Sequence, residues 1–451
     1  MNQPITPNEI IPTGFTRQDR CDPMTGKLLR TYRHQCGMLV KVLPRPGFSR
    51  RFAAVTVPYG AIHTTFTSGV ETWQVPSGTA HFLEHCIFSR DDEGGLMGKL
   101  SGLGASANAY TSHSHTMYYF STVHQFEKAL GFYLDAILTP YLETDRVEAE
   151  RPVILAELDQ YRDDPDTRCY MNLIENLYLN HPVRQDIGGT SESVNLITDS
   201  DLKNVWQNFY RPGQLSLTLA GDFDENLILE QLHLRLLEMK AELCNPGQIR
   251  SVLPAEPSAP AAAYGSLNMD VTTPSFLVGI KDPGLLPGSE LDGRELVTRQ
   301  RAARLLFDTL ISPVSSLYDD LYAEGLINDS FGFHYACEES FAFLACGGES
   351  DQPEKAAAAV RDGLIQHFTA GVDSQMFDIQ KRAAAGDFVR SLDSVEHCGM
   401  VQAQCNLHSI DLFDYPELYD KMDCATASRM LAFLADPSCY TVAVLHPMEV
   451  T

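Results

Sequence analysis

The stretch Leu253–Ala263, rich in Pro and Ala, constrains the fold more than any other feature, because it divides the chain. Its composition makes a semi-rigid, exposed linker and not a packed element. The elements read on its two sides come in the same order. Before it, strand-length apolar runs at Leu28–Tyr32, Met38–Leu43 and Phe52–Tyr59 read as a meander of antiparallel strands. A helix then begins after Pro76-Ser77-Gly78, whose hydroxyl can cap it. A strand pair at Ala105–Tyr110 and Thr116–Thr122 follows, then helices over His124–Leu138 and Asp145–Arg162. A helix over Leu202–Phe209, a strand at Leu215–Ala220 and a helix over Glu225–Cys244 close this half. Beyond the linker come strands Ser266–Val271 and Ser275–Ile280, helices Glu295–Leu310 and Ser315–Glu324, and strands Asp329–Ala336 and Phe341–Gly347. Helices Pro353–Phe368, Ser374–Ser391 and Ala425–Ala435 precede a last strand at Tyr440–Leu445. The repeated order suggests duplication, although no strong residue-level identity links the halves. Each half reads as α+β, a mostly antiparallel sheet with helices packed on one face. The expected division is 1–240, a linker at 241–263 that includes Asn245-Pro246-Gly247, and 264–451.

A length of 451 residues agrees, since single cores stop growing near 250–300 residues. A net charge of −25 excludes nucleic acid as a natural partner, because phosphate binding needs a basic surface. The longest apolar runs have strand length, far short of the roughly 20 residues that a membrane span needs. The start Met1-Asn2-Gln3-Pro4 lacks the basic and apolar segments of a secretory signal. Eleven cysteines without CxxC pairs argue against a disulfide framework. Together these features predict a cytoplasmic protein with no membrane partner.

The chemistry sits in His81-Phe82-Leu83-Glu84-His85. At 3.6 residues per turn, His81 and His85 project from one helix face, at a spacing that suits two imidazoles on one Zn²⁺. Glu84 lies on the neighbouring ridge, where it can reach a water at an open metal position and take its proton. Cys86 points about 100° away from His85, so packing is its expected role. A catalytic zinc needs a third protein ligand. Glu150 and Glu157, about two helical turns apart, can face the same site, one ligating and one orienting a ligand. Pro152 between them predicts a kink or a restart of the helix.

HxxEH is the inverzincin signature, and more than the pentad matches. Ser77–His85 (SGTAHFLEH), Gly104–Thr111 (GASANAYT) and Glu150–Leu158 (ERPVILAEL) resemble blocks of the insulinase/pitrilysin family, which includes the mitochondrial processing peptidases. The resemblance runs through most of Leu28–Phe223 and continues more weakly at Leu317–Phe333 and Phe341–Gly347. It implies that His81, His85 and Glu157 bind one zinc ion per chain, that Glu84 is the general base, and that Glu150 supports them. It also implies that Asn108 and Ala109 lie on an edge strand that pairs with extended substrate. The N-terminal half would then be the catalytic, zinc-binding domain and the C-terminal half its non-catalytic homologue.

Large members of this family enclose a chamber between two halves of two domains each, so a chain of this size resembles one half. Where the family carries a segment like LRxxxGLxY, this chain reads Leu321-Tyr322-Ala323-Glu324-Gly325-Leu326-Ile327-Asn328-Asp329. Tyr322, expected as an ordinary packed aromatic, replaces the arginine, and no tyrosine follows at the expected place. The resemblance therefore implies a zinc endopeptidase acting on peptides in a closed chamber. Its partner would be a homologous sister subunit that lacks zinc and supplies the Arg/Tyr pair. The alternatives are a non-catalytic structural subunit of the same family and a homodimeric peptidase.

Overall fold

The computed structural model describes residues 11–88, 95–239 and 249–448. The Met1–Pro4 start, the Asn245-Pro246-Gly247 turn and the end of the helix expected over Glu225–Cys244 lie outside these residues; the described helix runs Glu225–Glu238. The chain forms two compact units, and neither follows a single cut in the sequence. The first takes the described residues up to Ala156, with Ile187–Val252 and Arg390–Phe413. The second takes Glu157–Asp186, Leu253–Val389 and the described residues from Asp414 onward. Each half of the sequence thus lends one segment to the other unit. Four helices matter below: α1 (Thr79–Phe88), α2 (Thr144–Asp163), α3 (Pro165–Leu177) and α4 (Val395–Leu407).

The first unit contains strands β1 (Phe15–Cys21), β2 (Leu28–His34), β3 (Leu39–Pro44), β4 (Arg51–Val57), β5 (Thr65–Ser68) and β6 (Glu71–Gln74). It continues with β7 (Ser106–Thr111), β8 (Thr116–Thr122), β9 (Ser216–Gly221) and β10 (Ile249–Ser251). Seven of them form one sheet in the order β1-β2-β3-β9-β4-β8-β7, and β10-β5-β6 form a small second one. The expected meander holds for β2 and β3 but not for β4, because β9 lies between them, parallel to β3 and antiparallel to β4. All six residues of β9 are buried, and a strand buried on both faces belongs in the sheet centre.

The two faces of this sheet carry different helices. On β4, Thr56 donates to the Ala403 carbonyl of α4, and a Cβ on Gly399 would lie 2.2 Å from the Phe52 ring. Gly399 therefore lets α4 lie close against the strand. On the other face, Tyr118 of β8, which pairs with Val55, meets Phe88 of α1 at 5.7 Å.

The second unit repeats the plan. Its strands β11 (Tyr264–Met269), β12 (Ser275–Lys281), β13 (Gly332–Glu338), β14 (Phe341–Glu349) and β15 (Tyr440–Pro447) lie in the order β11-β15-β12-β14-β13. The last strand again inserts, parallel, beside the first and separates the two that sequence reading had paired. Helix α3 packs on this sheet, and a Cβ on Gly279 of β12 would lie 2.8 Å from Leu173. Lys281 and Glu256 form a fully buried ion pair at 2.7 Å, with Glu256 also accepting the backbone N–H groups of Leu179, Asn180 and His181. Among the described residues, no helix is long and apolar enough to cross a membrane, and no disulfide is formed.

Candidate active site

Helix α1 begins from a turn that only glycine permits. Gly78 has φ +87°, and a Cβ there would lie 2.3 Å from the Gly188 carbonyl oxygen. Thr79 then donates its hydroxyl to the Pro76 carbonyl at 2.7 Å. Phe82, Leu83, Cys86 and Ile87 are buried, which fixes the rotation of the helix and leaves His81, Glu84 and His85 half-buried on one stripe. Burial pushes the Cys86 thiol up to about 12, with the Glu150 charge adding to it. Cys86 is thus a protonated packing residue, as its position on the helix implied.

The rings of His81 and His85 meet edge to face, with centroids 4.6 Å apart. One donor atom from each of His81, His85 and Glu157 lies within 4.8 Å of the others. Bonds of about 2.0–2.1 Å to a tetrahedral zinc place ligand atoms roughly 3.4 Å apart, so modest side-chain rotations close the triad around one ion. The donor set, two imidazoles and one carboxylate, suits zinc.

Glu157 reaches this point because α2 is continuous. The residues of α2 up to Ala156 belong to the first unit, where Val147 and Ile154 are buried and Arg151 donates to the Val194 and Ile197 carbonyls. The Arg151 guanidinium also lies 5.5 Å over the Phe82 ring of α1. Pro152 neither breaks nor restarts the helix. It lies on the exposed side, where the carbonyl it leaves unbonded can meet water. Seven residues along a helix span about 10.5 Å, and of the two carboxylates it is Glu157 that falls in the cluster with His81 and His85. Glu150 instead faces Nδ1 of His85 at 3.9 Å, and Tyr161 donates to Glu157 at 3.0 Å.

The sequence reading missed Thr111. Its hydroxyl, at the end of β7, donates to Oε2 of Glu84 at 2.6 Å. Thr111 closes the GASANAYT block, but a contact across 27 residues leaves no local signal. Deeper in, the Tyr118 and Tyr210 hydroxyls bond each other at 2.8 Å. Burial raises both pKa values, and the Glu84 carboxylate raises them further. Asn108 is exposed and Ala109 half-buried on β7, the sheet's edge strand, and the Ala109 N–H donates to the Asn108 side-chain oxygen at 2.8 Å. Tyr322 packs as an aromatic on Tyr318, stacked at 6.0 Å, while staying 49% exposed.

Comparison with known proteins follows the same lines. Residues 68–191 match the family model described as insulinase (peptidase family M16), and residues 197–384 match that of the peptidase M16 inactive domain. The uncharacterized zinc protease YmfH of Bacillus subtilis is 33% identical over 384 residues, 84% of this chain and 87% of that protein. The mitochondrial-processing peptidase subunit beta of Caenorhabditis elegans is 27% identical over 220 residues, 45% of this chain and 48% of that one. An M16-like peptidase from Alicyclobacillus acidocaldarius superposes with a TM-score of 0.88 at 28% identity, covering 95% of this chain and 100% of that one. Pitrilysin shares the fold, with a TM-score of 0.73 at 19% identity, covering 97% of this chain but 47% of its own. With two matched family segments and a relative aligned over most of its length, the chain belongs to the insulinase family of zinc metallopeptidases, peptidase family M16.

Proposed function

We propose that this chain is an endopeptidase that cleaves peptides within a closed chamber, as the zinc-bearing subunit of a heterodimer. The observation that carries the reading is the convergence of His81, His85 and Glu157 within 4.8 Å, beside a Glu84 held by Thr111. Zinc, one per chain, would supply Lewis acidity when bound, polarising the scissile carbonyl and making a water more acidic. Glu84 takes the proton of the attacking water on its carboxylate and passes it to the leaving amine. Glu150 faces the Nδ1 side of the His85 ring at 3.9 Å and would orient that ring as a ligand. The substrate backbone would lie along the β7 edge at Asn108 and Ala109, where the Asn108 side chain holds the Ala109 N–H until a peptide replaces it.

Pairing with a second, homologous subunit is supported by the match to about half of pitrilysin and by the likeness to a named subunit of a processing peptidase. Tyr322, at the place where the family resemblance expects an arginine, supports a sister chain that lacks zinc and brings the Arg/Tyr pair. The scattered cysteines, without CxxC pairs, support a cytoplasmic setting. The test is zinc content and peptidase activity of this chain, alone and with a homologous sister chain, against Glu84→Gln. Zinc near one per chain, with activity only in the pair and abolished by Glu84→Gln, is the expected result. Activity indifferent to Glu84 overturns the mechanism, and full activity of this chain by itself overturns the heterodimer.

A further inference from the structure

We infer that the first unit holds a second ligand site, a cavity on the sheet face opposite α1 that takes the carboxylate group of a peptide. That the ligand is a peptide rests on the peptidase reading above; the charge and shape of the cavity do not. The cavity measures about 860 Å³, within the usual size of a ligand site. Gln18, Thr31 and Lys41 stand in register across β1, β2 and β3 and form its floor. Lys41 is in turn level with Thr218 of β9, whose hydroxyl accepts a hydrogen bond from Asn406 of α4. The floor is therefore the α4 face, while α1 lies behind the sheet. Four strand steps of about 4.8 Å separate β3 from β7, roughly 19 Å, so the cavity is distinct from the edge strand beside Glu84.

The rim is made where α4 ends. Ser409 adopts φ +54°, and the Ile410 N–H returns to the Cys405 carbonyl, a turn that brings Asp411 over Lys41. The lining carries Arg20, Arg33 and Lys41 against Asp19 and Asp411. Asp19 is engaged by Arg17 through both Nε and Nη2, and the Asp411 carboxylate is shared by Lys41 at 2.6 Å and Arg20 at 3.2 Å. Three cations thus face one carboxylate, an excess that outweighs the roughly half negative charge of the α4 C-terminus. This is a local reversal in a chain of net charge −25. Lys41 is only 9% exposed, in a strand whose other residues are apolar. Burying an ammonium there is costly unless anionic groups face it; Asp411 and the Thr31 hydroxyl, at 2.6 and 2.9 Å, already hold this one, and Arg33 is the cation left to a ligand. Thr31 and Ser409 add hydroxyl groups that suit peptide bonds, and Leu39 and Ile410 add apolar surface. Anionic head, polar backbone and small apolar contacts together describe a peptide carboxylate.

The full chain bearing Glu84→Gln, stripped of metal with neutral 1,10-phenanthroline, is titrated calorimetrically at fixed ionic strength. The probes are an N-acetylated pentapeptide with a free C-terminal carboxylate, its C-terminally amidated twin, and inorganic phosphate. The free acid should bind at one site and the amide at least about tenfold more weakly, the loss expected for one charged hydrogen-bonding group. Arg33→Gln, at an exposed position, should weaken the free acid by about tenfold or more with no change in melting temperature. Lys41→Met should do the same where it folds. Equal binding of acid and amide, or affinity untouched by Arg33→Gln, overturns the site. Phosphate binding as tightly as the free-acid peptide overturns the assignment to peptide in favour of a free anion. None of these readouts requires turnover, so an inactive enzyme would leave the binding measurable and a failed titration would leave the peptidase reading standing.

Discussion

Thr111→Val should slow peptide cleavage without removing zinc. The hydroxyl donates to Oε2 of Glu84 at 2.6 Å. Hydrogen bonds to charged groups contribute about 1.5–3 kcal/mol. If that interaction is retained in the transition state, losing it lowers kcat/KM by roughly 10- to 150-fold, at 1.36 kcal/mol per tenfold. Both side chains are half-buried, so the replacement decides where in that range the effect falls. Valine fills the volume of threonine and excludes a substitute donor. Alanine leaves room for a water, which restores much of the bond.

The expected order is therefore Thr111→Ser close to wild type, Thr111→Ala down by about threefold, and Thr111→Val down by tenfold or more. The assay is kcat and KM on an internally quenched peptide, in the assembly that is active, with zinc measured on the same samples. Because Thr111 acts through Glu84, the loss should fall on kcat more than on KM. Equal rates for the valine and alanine variants, or a valine variant within threefold of wild type at full zinc, would refute the reasoning.

Glu150→Gln should weaken zinc binding by about 10- to 100-fold, the usual effect of losing a carboxylate behind a ligand histidine, because Glu150 faces Nδ1 of His85 at 3.9 Å; competition with a chromophoric chelator reads this, and unchanged affinity removes Glu150 from the site. Lys281→Met strands the buried Glu256. Burial works against the Glu256 charge, and the Lys281 ammonium with three backbone N–H groups outweighs it and holds the carboxyl low. Breaking such a pair costs about 3–5 kcal/mol, read as a fall of roughly 6–20 °C in melting temperature for a unit of this size; a fall of a degree or two contradicts it, and adding Glu256→Gln should recover part of the loss. His115 is buried between Tyr110, Ser112 and Ser114, and burial lowers its pKa to about 4, with His408 and His63 adding to the effect. An unfolded histidine titrates near 6.5, so between those values the unfolded chain binds the extra proton. The folded state is then fully stable above pH 6.5 and loses about 3 kcal/mol as pH falls toward 4. On metal-free protein, His115→Gln should lose less melting temperature than wild type between pH 7.5 and 4.5; equal losses would count against His115.

What the sequence made legible was local. The 3.6-residue spacing of α1, the alternation in β8 and the long helix through Glu150 and Glu157 are periodic patterns, and they lie where expected. What it hid was long-range or unpatterned. β1, Phe-Thr-Arg-Gln-Asp-Arg-Cys, is too polar to announce a strand, and it becomes one by pairing along its whole length with β2. Helix α4 buries Cys398, Gly399, Gln402 and Ala403, small or polar residues with no apolar stripe, because it packs by close approach to Phe52 and not by bulk. The central places of β9 and β15 depend on pairings across more than a hundred residues, which no window of sequence contains. Glu157 became a candidate ligand through resemblance, since spacing alone left it open with Glu150; the structure adds the distances that separate their positions.

Among the described residues the duplicated plan carries a metal-capable cluster once, and that locates what makes this protein an enzyme candidate. In the first unit the strand β4 is followed, past β5 and β6, by α1 with its histidines. In the second, β12 is followed by the helix Gly293–Leu310, which carries Arg294, Arg299, Arg301 and Arg304. Arg299 bonds the buried Asp282 through Nε at 2.7 Å, and Arg301 lies 4.6 Å over the Tyr415 ring. Those guanidiniums hold structure together, in a helix at the same place in the plan where α1 carries the two imidazoles of the metal-capable cluster. Among the described residues, His81, His85 and Glu157 form the metal-capable cluster, and its three members come from two helices that the first sheet and Arg151 hold in place. The fold is thus a scaffold indifferent to catalysis. Exchanging His81 and His85 for arginines should leave α1 folded, with its buried stripe of Phe82, Leu83, Cys86 and Ile87 intact, while zinc binding disappears.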